Sequence, residues 1–439
     1  MTFRIMRLPL VVLAVGCAPA ARPATGSGTA VRPAAGDSTW RDHIAAAAQA
    51  ESDPVRYRHH LERVHAELPG QPQVIWALAR TEVILKNPDS ALAWLNRYAD
   101  LGLGRDPTSD SVLAPLTSRP EYAEIAAKLG HNRLPVDQGE TAFTLHEAEL
   151  IPEDVTYDPG RRRFLVSSVR RGKVVAIERD GRRRDFVRLD QRGWGVLALA
   201  ADSARKRLWA TASAVPQAEG YSAADSGRTV LLAFDLGSGD LVRRLELPSD
   251  GAPHSLGDMA LGPDGTLVLS DSRSGELWRL RPAGKALELL VPRDVLVSPQ
   301  GIAFPPDGKR VLVADYARGI AQVDLATGAV TWLPQPRDLA ASGIDGLVLT
   351  GRDLVALQNG IRPPRVLHLR LDRDHAAIER WSVIEAGTPM LSEPTHGVAV
   401  DGWVYYIANA GWDRLEEDGR VRAGTALEKG IIRRVLLGQ

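Results

Sequence analysis

The sequence predicts a multidomain chain: an N-terminal all-α region followed by an all-β six-bladed propeller that fills the C-terminal two-thirds. Two observations carry this prediction. From about Glu147 onward one strand–turn–strand template recurs six times. Before it, from Ser38 to about Leu134, apolar residues fall at helical spacing between proline-marked breaks. A content of 40 Gly and 29 Pro also suits a turn-rich β protein.

Composition narrows the function classes first. The chain has 439 residues, enough for two or three domains. Its 54 Lys and Arg balance its 54 Asp and Glu, so no electrostatic footprint for nucleic acid is present. A small molecule or another protein is the expected partner. No nucleophile elbow, phosphate-cradling Gly loop or zinc-ligand spacing is present, which argues against serine hydrolase, nucleotide and zinc enzymes.

The first residues read as an export signal. Arg4 and Arg7 form a basic start, and an apolar run from Leu8 to Val15 follows, too short to span a bilayer as a helix. Leu13-Ala14-Val15-Gly16-Cys17 then resembles the lipobox of bacterial lipoproteins, which implies cleavage before Cys17 and its lipidation. The alternative is an ordinary signal peptide with an incidental Cys. Cys17 is the chain's single cysteine, so no intramolecular disulfide supports either domain. The expected location is the bacterial cell envelope, on the periplasmic or extracellular face, attached by lipid alone. Residues 18–37 carry no large apolar residue before Val31 and read as a disordered tether.

Residues 38–134 form the helical region. Pro54 opens a helix with Tyr57, Leu61, Val64 and Leu68 on one face, and Pro69-Gly70 ends it. Val74, Ala77, Leu78 and Thr81 mark a second helix, and Ala91, Trp94, Leu95 and Tyr98 another, with Asn87-Pro88-Asp89 between them. Helix pairs at this spacing resemble tetratricopeptide repeats, best over Asp89–Ala99, and the stretch from Leu113 to Tyr122 resembles the short closing helix of such arrays. A generic helical bundle is the alternative. Either arrangement suits protein contact. His59, His60 and His65 lie on one amphipathic helix and are expected on a solvated face.

The repeat follows, over residues 140–439. Glu153, Trp194, Gly257, Gln300, Asp345 and His396 each stand just before an apolar strand, at steps of 41, 63, 43, 45 and 51 residues. A turn and a second apolar strand follow each, as in Pro263-Asp-Gly before Leu267–Asp271 and Pro306-Asp-Gly before Val311–Asp315. A unit of about 40–50 residues with four short strands is a propeller blade. The long second step is accounted for by a polar insertion, Ala214 to Arg228.

The residue before each innermost strand stands at one mouth of the central channel. Six blades therefore bring those six residues into a ring, with Asp154 and Asp258 alongside. Converging carboxylate and amide oxygens suit Ca²⁺ or a similar divalent cation. A carboxylate at Glu153, facing an apolar channel, requires a partner or a cation. Asp271, Asp315 and Asn409 end second strands and are expected to hydrogen-bond turns.

On these residues the region resembles the senescence marker protein/gluconolactonase family of calcium lactonase propellers. Glu153 and Asp345 match the family's pattern in type and context, and Pro299-Gln300-Gly301 stands where Pro-Asn-Gly is usual. The resemblance implies Glu153, Gln300 and Asp345 as metal ligands, and Asp154, Trp194 and Asp258 at the substrate-facing mouth. It implies a metal-dependent lactonase or esterase. Asp345, Glu153 or His396 would then activate water, with Asp345 and His396 as the catalytic pair. The sequence departs from the pattern at Gly257, which offers no side chain where Asn is usual. Gln300 keeps the carbonyl on a longer arm. Two other classes stay open: a non-catalytic propeller that binds a ligand or an envelope protein, with the helices as a second contact surface, and a structural envelope protein.

Overall fold

The computed structural model describes residues 39–437. The export signal, Cys17 and the tether lie outside these residues. The chain divides into two compact units: the residues up to Asn132 with Arg337–Ala340, and Arg133–Pro336 with Ala341–Gln439. Among the described residues no helix is long and apolar enough to cross a membrane.

In the first unit, α1 (Trp40–Gln49), α2 (Pro54–Glu67), α3 (Pro72–Ile84) and α4 (Pro88–Asp100) follow one another through short turns, and a longer connection with 3₁₀ helices at Pro107–Ser109 and Ser111–Ser118 leads to α5 (Pro120–His131). Proline opens four of the five, where its fixed φ suits the first turn and its missing N–H leaves nothing unpaired. Thr39 and Asp42 form a reciprocal capping box on α1, and Asp53 caps α2. The predicted periodic residues Val74, Ala77, Leu78, Thr81, Ala91, Leu95 and Tyr98 are all buried. Trp76 meets Tyr98 edge-to-face at 4.9 Å. Its indole N–H donates to Asp110 at 2.9 Å, and Arg80 pairs with the same carboxylate at 2.8 Å. A buried Trp thus gains a polar partner, as its N–H requires.

The second unit is the six-bladed propeller, in six antiparallel sheets. The innermost strands are Val155–Asp158, Trp194–Asp202, Leu256–Leu261, Pro299–Ala303, Ile344–Thr350 and Gly397–Val400, one per predicted repeat. Of the predicted insertion, Ala214 ends blade 2's second strand and residues 215–228 form a loop, carrying one short 3₁₀ turn at Ala223–Asp225. Side chains of opposite parity pack on opposite neighbouring blades. Trp209 and Leu231 of blade 2 meet Met259 and Trp278 of blade 3, while Val268 and Leu277 of blade 3 meet Ile302 and Val313 of blade 4. Fully burying one such side chain is worth about 1.5–3 kcal/mol.

The ring closes through chain ends. Glu140–Thr144 pairs with Ile431–Leu436, so a strand preceding the first repeat supplies the outermost strand of blade 6. Val136–Asp137 adds a fifth strand to blade 5. A buried ion pair bolts this junction: Arg433 Nε lies 2.8 Å from Glu385 Oε2, Tyr406 also donates to Glu385, and Arg433 reaches the Gly139 carbonyl at 2.7 Å.

Candidate functional site at the channel mouth

Four of the six inner strands are irregular at their start, where the ring residues stand. In blades 2 to 5 the pairing slips there: between Val196 and Leu199, Leu256 and Asp258, Pro299 and Ile302, and Ile344 and Gly346. A bulge releases one residue from the ladder and re-aims it. The released residues are Leu197, Gly257, Gln300 and Asp345. Glu153 and His396 hold the matching places in blades 1 and 6.

Trp194 is therefore not the blade-2 member of the ring. The strand starts two residues earlier, relative to the ring position, than those of blades 3 to 5, Trp194 pairs with Ala214, and its ring packs in the core between blades 1 and 2. Arg228 and Arg244 lie over that ring at 5.7 and 5.8 Å. Leu197, buried with Ile151, Val169 and Leu415, takes the ring position instead. The alignment is fixed by a shared hydrogen bond: the next residue's N–H meets a second-strand hydroxyl in blades 1, 2 and 3, as Asp154–Ser167, Ala198–Thr211 and Asp258–Ser270.

Asp154 and Asp258 tie neighbouring blades together. Asp154 accepts from Val155 N at 2.7 Å and from Leu199 N of blade 2 at 2.6 Å. Asp258 accepts from Met259 N at 2.7 Å and from Ile302 N of blade 4 at 2.7 Å. Where the equivalent residue is Gly301 or Gly346, the backbones touch directly. A Cβ on Gly346 would stand 2.1 Å from the Thr395 carbonyl oxygen. The structure thus brings Asp154 and Asp258 beside the ring, as struts between inner strands.

His396 reaches across the channel. Its Nδ1 lies 3.1 Å from the Glu153 carbonyl, and its Nε2 lies 3.6 Å from Asp258 Oδ2 without a hydrogen-bond partner. Burial alone would push the imidazole down, but Asp258, Asp154, Asp345 and Glu153 together hold it at about 10. The surrounding carboxylates favour the charged imidazole, which disfavours His396 as a general base relative to an imidazole in free solution.

The carboxylates show the complementary effect. Burial, then Asp345, pushes Glu153 up to about 8. Burial, with Asp258 nearby, pushes Asp154 up to about 7, and burial raises Asp258 and Asp345. Glu153 Oε2 accepts the Trp412 indole N–H at 2.6 Å. A relay holds Asp345: Tyr316 OH donates to Asn359 Oδ1 at 2.8 Å, and Asn359 Nδ2 donates to Asp345 Oδ2 at 2.6 Å. Gln300 donates from Nε2 to Ser298 at 2.9 Å, and its Oε1 lies 3.9 Å from where a Cβ on Gly257 would stand.

Glu393 was not singled out by the sequence. It accepts from Asp413 N at 3.2 Å, and burial, then Asp413, pushes it up to about 7, with Asp345 adding to the rise. It carries no motif of its own. Only the chain's return over the mouth brings it there, as it does Trp412.

The donor chemistry fits a hard divalent cation. Asp345 raises Glu153 in a buried mouth, and Gln300 carries a neutral carbonyl oxygen beside them. Leu197 and Gly257 supply none. A second acidic cluster is self-contained. His254 bridges Asp271 at 2.6 Å and Asp250 at 3.0 Å, while Glu276 pairs with Arg293 at 2.8 Å. Its three buried members, His254, Asp271 and Glu276, converge closely enough for a metal. Each is already engaged by a charged partner, so the cluster reads as an ion-pair network. Asp271 and Asp315 accept backbone N–H groups of the turns that follow them, as expected, whereas Asn409 accepts from Ile431 N at the start of the strand Ile431–Leu436.

No protein-family model matches the chain, and no curated protein matches it. Solved structures share the scaffold. A protein named as a candidate gluconolactonase is 20% identical, over 72% of this chain and 96% of its own, with a TM-score of 0.43. The PQQ-bound aldose sugar dehydrogenase of Streptomyces coelicolor is 15% identical, over 68% and 99%, with a TM-score of 0.45. A luciferin-regenerating enzyme is 13% identical, over 69% and 95%, with a TM-score of 0.48. These likenesses concern the propeller and assign no activity.

Proposed function

We propose that the channel mouth binds a divalent cation, with Ca²⁺ the first choice, and hydrolyses a small lactone or ester. The observation behind this reading is the accumulation of buried carboxylates at one mouth, with Glu153 held at about 8. A bound cation would relieve the cost of charging Glu153 and Asp345 at this mouth. Glu153, Asp345 and the Gln300 carbonyl would hold the ion, which when bound polarises a carbonyl as a Lewis acid. Glu393 would serve as the general base, since burial and Asp413 hold its carboxyl above the usual carboxylate range and so make it a better proton acceptor. The Tyr316–Asn359 relay fixes the Asp345 rotamer. His396 keeps its proton and compensates the carboxylates beneath the mouth.

One observation favours a non-catalytic binding propeller: two of the six ring positions, Leu197 and Gly257, bring no polar side chain. A lactone and ester panel assayed with Ca²⁺ and with chelator separates the readings. Turnover lost with chelator and in Glu393→Gln supports the hydrolase; ligand binding without turnover supports the other.

The helical unit is proposed as a tetratricopeptide-like protein-contact module, and the chain as an exported lipoprotein anchored through Cys17. Fatty-acid labelling that is lost in Cys17→Ala, with release from the membrane fraction, tests the anchor.

A further inference from the structure

Three imidazoles meet between the first two helices. His59 and His60 are neighbours on α2, and their rings lie 5.4 Å apart. The sequence placed them on a solvated face because nothing else nearby in the chain supplies a ligand. Folding supplies one. α1 packs against α2 and brings His43 over them, with its ring 5.4 Å from His60 and 6.5 Å from His59. His65, a turn further along α2, is not part of this group and packs edge-on against Trp94 at 4.8 Å.

The decisive distance is between nitrogens. His43 Nδ1 and His60 Nδ1 lie 3.1 Å apart. Two imidazole nitrogens bound to one tetrahedral ion, each at about 2.0–2.1 Å, stand about 3.3 Å apart. The two Nδ1 atoms are thus already at near-ligating separation, from two different helices. Otherwise, one neutral ring must donate a single hydrogen bond to the other.

We infer that His43, His60 and His59 form a surface site for a late first-row divalent transition metal, with Zn²⁺ or Cu²⁺ the fitting ions. His43 and His60 are the preset pair. His59 is exposed and turns about its side-chain torsions to become the third ligand, and water fills the remaining position. Imidazole is a ligand only when neutral. Chemically, this site is unlike the channel mouth: neutral nitrogens select transition metals, whereas the carboxylates and amide there select hard ions such as Ca²⁺. A bound ion would also cross-link α1, the first described helix, to α2.

The test is titration of the purified protein with Zn²⁺, read by calorimetry, and with Co²⁺, read by its visible absorption. The expected result is one site, at least tenfold weaker in His43→Ala and in His60→Ala and severalfold weaker in His59→Ala. Binding should be unchanged in Glu153→Gln, which separates this site from the channel. Metal should also slow amide exchange in Trp40–Gln49. Equal Zn²⁺ affinity in wild type and the His43→Ala/His60→Ala double variant would overturn the inference. So would Zn²⁺ binding abolished by Glu153→Gln and retained in the double variant.

Discussion

Replacing Glu153 by Gln should stabilise the protein in chelator at neutral and alkaline pH. Gln keeps the shape and an oxygen for the Trp412 indole N–H, and it removes the buried ionisable group. In the wild type the folded carboxyl sits at about 8, against a reference of 4.5. Between those values the folded state holds a proton that the unfolded state has released, so stability falls as pH rises through this window. At about 1.36 kcal/mol per pH step, the fall reaches roughly 4 kcal/mol by about pH 7.5, as a ceiling. Gln does not titrate, so the variant should match the wild type near pH 4.5 and exceed it progressively above. In a unit of this size each kcal/mol moves the midpoint by about 1.5 °C, so a gain of half the ceiling is roughly 3 °C. The assay is thermal denaturation in EDTA across pH 4.5–9, repeated with saturating Ca²⁺. With Ca²⁺ the order should invert, because only Glu153 gains from the ion. A variant less stable than wild type at pH 8 in EDTA would refute the reasoning, since it would make the carboxylate a structural partner.

Three further outcomes follow from particular contacts. Arg433→Ala leaves Glu385 buried without its cation and should destabilise the ring closure by about 3–5 kcal/mol, read as a lowered denaturation midpoint and faster amide exchange in Glu140–Thr144. Gly346→Ala drives a Cβ against the Thr395 carbonyl where neighbouring backbones touch, so soluble yield should collapse, while Ala at the open Gly181 turn should leave the inner strands intact by circular dichroism. Trp412→Phe removes the indole donor that lowers the Glu153 pKa. Ca²⁺ affinity at pH 7 should weaken and its pH midpoint should move up, as calorimetry at several pH values would show.

The propeller was legible because its repeat is written in local pattern. Asp-Gly turns, alternating apolar strands and a residue before each inner strand survive as sequence signals, and five of the six ring positions were placed by them. Blade 2 failed for a physical reason. Its inner strand runs two residues longer at the start, and the bulge that releases Leu197 leaves no trace in composition, so the conspicuous Trp194 stands where the pattern expects the ring residue. Charge states were less legible than positions. His396 was read from its free titration, but its protonation is set by Asp154, Asp258, Asp345 and Glu153, which only the closed ring assembles. Glu393, Trp412 and the Tyr316–Asn359 relay belong to returning loops whose path no periodicity encodes. The same holds for His43, whose meeting with His60 depends on the packing of α1 on α2.

The most direct test of the account is calorimetric titration of Ca²⁺ into the purified protein, in parallel for wild type, Glu153→Gln and Asp345→Asn. The account predicts a single site in the wild type that is lost or weakened at least tenfold in both variants. It further predicts that binding strengthens as pH rises through 8, where the Glu153 proton leaves. Absence of Ca²⁺ binding in the wild type, or binding indifferent to both substitutions, would contradict the channel mouth as the metal site, and the hydrolase reading with it.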